Sequence, residues 1–449
     1  VRCAAALAAG LVALTGACGG SRPAELGAAP ADDGTAAAAA GDGTAVAAAG
    51  DGTAEAADAV AEPDEATAPS SGPGGDEGTA GEASEVSPAA PIADGPRIVR
   101  LGGSGDFLAH IRVVSSARGH GGFEHVLGAL RRAVRPDEVA FLNLETPLSE
   151  ERPVSSGSPP ILGAPPEAAA VMASIGIDVA SVANNHAWDQ FSVGAGRTIE
   201  ALEGAGLVAL GAGPTVEAAF APRFVTAPGG VRVAFVGVTE RVNGGPGPLG
   251  PSTLIARWEE DGPLEDALAA ARAEAELVVV SVHWSHDFRM TPQTSQRARA
   301  RWLVERGADV ILGHGPHVLQ EVERLPSPRG EAVCAYSLGN LVSNQGYLYH
   351  PGRRAPRDAN IATWLPEARD GVWLTIDAEL EDGRVRITEI AGVPLFTWND
   401  HWERRRGAPE DIRIALVHDL PDATLRRLRF REITAALGPT VTLPALPAE

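Results

Sequence analysis

The feature that most constrains this chain is a series of short runs rich in Val, Ile and Leu, separated by longer amphipathic stretches and repeatedly followed by a polar side chain able to bind a cation. The runs are residues 97–102, 139–144, 179–183, 231–238, 277–282, 309–312, 333–338, 372–379 and 385–390. Their length and β-branched content read as strands, and their nearly unbroken apolarity predicts burial on both faces. Residues 166–175, 194–204, 264–275 and 294–306 have helical spacing, and several end in Gly. Strands alternating with helices predict an α/β fold, a parallel or mixed sheet with helices on its faces. The last two runs flank Glu381-Asp382-Gly383, a hairpin turn.

The polar residues stand directly after these runs. Asp106 follows the first, Glu145 ends the second, and Asn184-Asn185-His186 ends the third. His283 closes residues 277–282, His314 and His317 follow residues 309–312, and Asn340 follows Tyr336-Ser337-Leu338-Gly339. Open α/β sheets bind ligands at the carboxyl ends of their strands, so these side chains are expected to converge on one rim. Carboxylates, carboxamides and imidazoles together suit Mn, Fe or Zn better than Ca or a thiolate-bound metal. A bridging carboxylate would allow two ions, which polarise a phosphoryl or acyl oxygen and activate water, while a free imidazole protonates a leaving group.

Gly105-Asp106, Asn143-Leu144-Glu145, Ala183-Asn184-Asn185-His186, His283-Trp284, Gly313-His314-Gly315-Pro316-His317 and Ser337-Leu338-Gly339-Asn340 occur in the order seen in the CapA-type family, which is linked to poly-γ-glutamate capsule synthesis. The chain resembles that family over roughly residues 98–345. The resemblance implies a metallophosphatase-like (calcineurin-like) α/β sandwich, two mixed sheets covered by helices. It implies one or two divalent ions on Asp106, Glu145, Asn185, His283, His314 and His317, with His186 as the catalytic imidazole. Asn184, Trp284 and Asn340 would line the substrate pocket. The implied activity is that of a metal-dependent hydrolase or transferase acting on an anionic polymer or a phosphoester, alone or within a capsule-synthase complex. Its alternatives are a non-catalytic polymer-binding component and a phosphodiesterase unrelated to capsule.

This sequence departs from the superfamily pattern in three places. The usual Asp-x-His is absent, the nearest histidine being His110, four residues after Asp106. Gly315 stands where a histidine is usual, and Asp287 stands where a Glu is expected near His283. These departures bear on the number of ions. Plainer roles are also open to several of the residues. Asn185 is able to cap a helix, Asp189 to hold His186 in a purely structural role, and Trp284 to serve packing. His110, His120, His125 and His286 carry no assigned role.

Arg2, an apolar run to Ala17 and the small residues before Cys18 have the layout of a signal peptide over residues 1–17, with Cys18 as a lipidation site. Leu14 stands one place further from Cys18 than a lipobox prefers, so signal cleavage without lipidation is the other reading. Either way the protein is expected to be exported to the cell envelope, touching the membrane through a lipid anchor only, or else periplasmic or secreted. Residues 18–95 read as a disordered acidic linker, since residues 21–95 carry fifteen acidic side chains against one arginine and almost nothing larger than Ala to bury. That segment accounts for much of the net charge of −21. The absence of a basic patch excludes a nucleic-acid partner. Residues 96–399 form the expected main domain, followed by an extension, residues 400–449, with a helix over 422–437. Cys334, inside an apolar run, reads as a small buried hydrophobe.

Overall fold

The computed structural model describes residues 95–446. The signal peptide, Cys18 and all but the last residue of the acidic linker lie outside the described residues. The strands are Arg97–Phe107 (β1), Val139–Asn143 (β2), Val179–Ser181 (β3), Val208–Leu210 (β4), Ala212–Gly213 (β5), Arg223–Thr226 (β6), Arg232–Thr239 (β7) and Leu254–Ile255 (β8). They continue with Leu277–His283 (β9), Val310–His314 (β10), Val322–Ser327 (β11), Gly330–Ala335 (β12), Asn340–Val342 (β13), Asp370–Glu381 (β14), Arg384–Asn399 (β15) and Ile412–Leu416 (β16). All but β5 and β8 belong to one sheet, with main order β4-β3-β2-β1-β14-β15-β12-β10-β9-β7-β6.

That sheet is two mixed halves. Among the described residues the only register pair between them is Gly330 with Val385, joining β12 to β15. In the first half β1 to β4 run parallel while β14 and β15 are antiparallel to their neighbours. In the second, β12, β10, β9 and β7 are parallel and β6 is antiparallel. The halves share one apolar core, in which Leu101, Phe141 and Val179 meet Phe235, Val279 and Leu312. Phe141 and Phe235 stack across it with centroids 6.1 Å apart.

Helices close both outer faces. On the first half Val113 of Ile111–Gly119, Ala168 of Glu167–Ile175 and Leu202 of Phe191–Gly204 pack with Leu142 and Ala180. On the second, Leu264 and Leu268 of Gly262–Glu274 and Ala300 and Leu303 of Thr294–Glu305 pack with Val236, Val280 and Cys334. Alternation within β9 shows why its sequence is apolar throughout: Leu277 and Val279 face the shared core, and Val278, Val280 and Val282 face the helices. The α/β sandwich expected from the sequence is therefore the architecture found. Asp382 and Gly383 both have positive φ, as a two-residue hairpin turn between β14 and β15 requires.

Past residue 399, β16 extends the first half by pairing with β15. The helix Ala423–Leu437 is capped by Asp422, whose Oδ1 accepts the Leu425 N–H at 2.6 Å, and buries Ile433 and Leu437 in the shared core. Among the described residues no helix is long and apolar enough to cross a membrane.

Candidate metal centre

Parallel pairing brings the rim residues into register. Asp106 at the end of β1 is opposite Asn143 of β2 and Asn340 of β13, and His283 at the end of β9 is opposite His314 of β10. Where the halves meet at this edge, ligand atoms of Asp106, Glu145 and His283 all lie within 4.8 Å of one another. His283 Nε2 is 3.2 Å from Glu145 Oε1, His314 Nδ1 is 3.5 Å from Asp106 Oδ1, and His317 Nε2 is 3.8 Å from Glu145 Oε1. All five side chains are buried.

Hydrogen bonds orient part of this cluster and leave the rest open. Asn143 Nδ2 donates to Asp106 Oδ1 at 2.8 Å, and the Gly315 N–H donates to Oδ2 at 3.2 Å. His317 Nδ1 lies 3.2 Å from both Asp106 Oδ2 and Asn340 Oδ1, which places its proton on Nδ1 and a lone pair on Nε2. In contrast, both oxygens of Glu145, both nitrogens of His283 and of His314, and Oδ1 of Asn185 and Asn143 are shielded from solvent without a protein partner. Buried polar atoms are almost always paired, so the orphans of Glu145, His283 and His314 beside Asp106 fit a cation.

The electrostatics agree. Burial pushes the Glu145 carboxyl well above the usual carboxylate range, and the adjacent Asp106 adds to the shift. Burial alone would also raise Asp106, but His314 and His317 outweigh it and hold that carboxyl well below its ordinary value. Burial drives the His283 pKa well down, against Asp106 and with help from the neighbouring histidines, so the ring is neutral and its lone pair available. A cation between them relieves the repulsion between the two carboxylates. The donor set of carboxylate, carboxamide and imidazole is that of a divalent metal.

The cluster opens into a cleft of about 320 Å³ lined by Asn185, His186, Arg241, Asn243, Asp287 and Phe288, among others. His186 Nδ1 donates to Asp189 Oδ2 at 2.6 Å, leaving Nε2 as the ring's accepting nitrogen. The Leu162 N–H donates to the same Asp189 oxygen at 2.7 Å and fixes it. Asn185 is no helix cap, since the next helix begins at Phe191 and Gln190 precedes it.

The three residues expected to meet substrate do not fit that role. Trp284 is 0% exposed and its indole N–H donates to the Tyr336 carbonyl at 3.0 Å, so it packs behind the centre. Asn184 is committed to the Leu144 carbonyl and the His186 N–H. Asn340 holds the His317 ring and carbonyl. Gly315 has a geometric reason to replace histidine: its φ is +97°, and a Cβ there would meet the Trp284 carbonyl at 2.3 Å. His317 takes φ +58°, a strained conformation for a non-glycine residue at a candidate functional site. His110 is half-buried, its Nδ1 near the Leu108 carbonyl and the Asn344 N–H, while His125 pairs with Asp411 and stacks on His120.

Arg241, Asn243 and Asp287 are cleft residues that reading the sequence did not single out as binding groups. The signal that finds Arg241 was present: it stands two residues past β7, the same position on the rim that exposed the others. Asn143 was quoted only within its motif, because its role depends on lying beside Asp106 in the neighbouring strand.

Comparison with known proteins adds a second line of observation. The family described as "Bacterial capsule synthesis protein PGA_cap" matches residues 100–345. "Capsule biosynthesis protein CapA" of Bacillus anthracis is 33% identical over 190 residues, covering 40% of this chain and 44% of that protein. "PGA biosynthesis protein CapA" of Bacillus subtilis is 32% identical over 190 residues, covering 40% and 46%. "Probable polyglutamine synthesis accessory protein Rv0574c" of Mycobacterium tuberculosis is 26% identical over 216 residues, covering 46% and 56%. The chain thus spans about half the length of the curated relatives it matches. Among solved structures, the calcineurin-like phosphoesterase YfkN from Bacillus subtilis aligns with a TM-score of 0.35 and 12% identity, covering 66% of this chain and 91% of that one.

Proposed function

Because this chain belongs to the bacterial capsule synthesis protein PGA_cap family, we propose that it serves the synthesis of a capsule or envelope polymer of the poly-γ-glutamate type, using a divalent metal. Asp106, Glu145, Asn185, His283, His314 and His317 hold the ion, and Mn, Fe or Zn is the identity that this donor set favours. The observation that carries the reading is the meeting of Glu145 and His283 from opposite halves of the sheet, both with buried atoms lacking protein partners. The names of the relatives supply the polymer context.

When bound, the ion supplies Lewis-acid polarisation of a phosphoryl or acyl oxygen. The chain's own residues do the rest. Asn143 and the Gly315 N–H aim the Asp106 carboxylate, and Asn340 aims His317. His186, held by Asp189 and lining the cleft, passes a proton between Nε2 and an oxygen of the substrate. The exported, lipid-anchored form read from residues 1–18 belongs to the same proposal, since capsule polymer is built at the envelope.

Elemental analysis of the purified chain tests the metal. Near-stoichiometric Mn, Fe or Zn in the wild type, and little in His283→Ala or Asn185→Ala, is the expected result. A metal-free protein of normal fold that restores polymer in a deletion strain contradicts it.

A further inference from the structure

The cleft beside the metal centre carries hydrogen-bond donors that neither the fold nor the cation explains. Arg241 and Asn243 lie on the loop that leaves β7, and Arg241 is anchored there by Thr239, whose Oγ1 donates to the Arg241 carbonyl at 2.8 Å. The Asn243 N–H donates to the Asn185 carbonyl at 2.6 Å, which ties this loop to the candidate ligand loop. Both side chains line the cleft with Asn185 and His186. The amide Nδ2 of Asn243 and the Nε of Arg241 are shielded from water and have no protein partner. Arg241 uses Nη2 to bind both oxygens of Asp287, at 3.1 and 3.3 Å. That contact leaves the Nε–H without a partner and offsets the charge of Asp287, the cleft's acidic side chain.

We propose that Arg241 and Asn243 form an oxyanion-binding subsite that takes a carboxylate or phosphoryl group of the substrate and so sets the pose of the neighbouring bond at the metal centre. The inference rests on the reading of the centre given above and deepens it by naming the substrate's chemistry. Two unpaired donors, one of them on a permanent cation, are costly to bury unless an acceptor arrives, and an anionic oxygen is the acceptor that repays both. Asp287 is a positioning residue in this arrangement: by holding Nη2 it fixes the guanidinium beside the cleft. A ligand that brings no acceptor oxygen leaves Arg241 Nε and Asn243 Nδ2 unpaired, so the subsite selects against such substrates.

The test uses the full chain with its metal, titrated calorimetrically with inorganic phosphate and, separately, with glutarate. Each variant's metal content is measured alongside. Arg241→Gln is expected to weaken anion binding about tenfold or more, the scale for a lost hydrogen bond to a charged group, while metal stoichiometry is unchanged. Asn243→Ala is expected to weaken it less, and Arg241→Lys to recover part of the loss. Tighter phosphate binding assigns a phosphoryl source and tighter glutarate binding a carboxylate source, and either supports the subsite. Wild-type protein that binds neither anion, or Arg241→Gln and Asn243→Ala proteins that bind both as the wild type does, overturns it. Absence of metal from the wild type bears on the centre instead, so the two failures are distinguishable.

Discussion

Glu145 and His283 lie 3.2 Å apart although each belongs to a different half of the sheet, Glu145 following β2 and His283 ending β9. The contact closes the seam between the halves at the carboxyl ends of their strands. It also makes the centre sensitive to anything that shifts one half against the other.

Asn143 Nδ2 donates to Asp106 Oδ1, which makes its contribution the orientation of that carboxylate. Asn143→Ala is expected to reduce metal affinity by about 10- to 100-fold, the range for removing a partner that aims a ligand. Equilibrium dialysis against a competing chelator measures it, and unchanged affinity would mean that Asp106 needs no such support.

Burial and the nearby Asp106 raise the Glu145 pKa, so without a cation Glu145 keeps its proton to a higher pH than an ordinary carboxyl does. Metal binding requires the carboxylate and must release that proton. Affinity is therefore expected to rise with pH across the range in which the metal-free protein keeps its proton. Calorimetry in buffers of different protonation enthalpy should return about one proton released per metal, contributed by this group. A pH-independent affinity with no proton release contradicts the assignment.

His186 and Asp189 form a pair at 2.6 Å that touches the cleft but supplies no atom to the cluster of Asp106, Glu145 and His283. His186→Ala should keep its metal and lose activity by about 10²- to 10⁴-fold, the usual value of a positioned proton donor. Asp189→Asn should fall between it and the wild type. Full restoration of polymer in a deletion strain by His186→Ala would instead identify a non-catalytic component of the assembly.

Gly105 stands where β1 passes β13, and a Cβ there would meet the Gly339 carbonyl oxygen at 1.9 Å. Gly105→Ala must push the strands apart next to Asp106, with an expected loss of about 1–3 kcal/mol or more for overpacking. Gly103→Ala, whose Cβ would meet nothing nearer than a Leu312 methyl at 3.4 Å, serves as the control. Denaturant unfolding of both proteins decides it, equal midpoints being the contrary result.

Arg429 on the terminal helix and Asp370 at the start of β14 form a buried pair at 3.1 Å. Burial already pushes the Asp370 carboxyl up to about 8, so Arg429→Leu leaves it to take up a proton and is expected to cost about 1–3 kcal/mol, the scale for a buried polar group left without its partner, with part recovered in the double variant that adds Asp370→Asn. Thermal unfolding of the two variants measures this, and a neutral single change would show that the helix contributes little.

Much of the architecture was legible because burial on both faces writes itself into contiguous residues. Every run read as a strand overlaps one, and each of the four central helices lies within three residues of its expected bounds. Four of the seven strands outside those runs have local reasons for leaving no signal in the sequence. Val208–Leu210 and Asn340–Val342 are three residues long and show no period, and Arg223–Thr226 is an edge strand, half-buried, with a charged residue at its head. Ile412–Leu416 alternates buried and half-buried residues in a segment otherwise read as an extension.

The sequence by itself determined the long buried strands, the four central helices and the placing of Asp106, Glu145, Asn185, His283, His314 and His317 after buried strands, because a polar side chain at the end of a buried strand is a local pattern carried by the chain alone. Only the tertiary structure decided which of them share atoms with one point, that Trp284, Asn184 and Asn340 are committed to the protein, and that Arg241 and Asn243 face the cleft. The reason is physical. Periodicity fixes which face of its own element a residue takes, while pairing across the seam, solvent exclusion and the resulting shifts in charge exist only once distant segments pack.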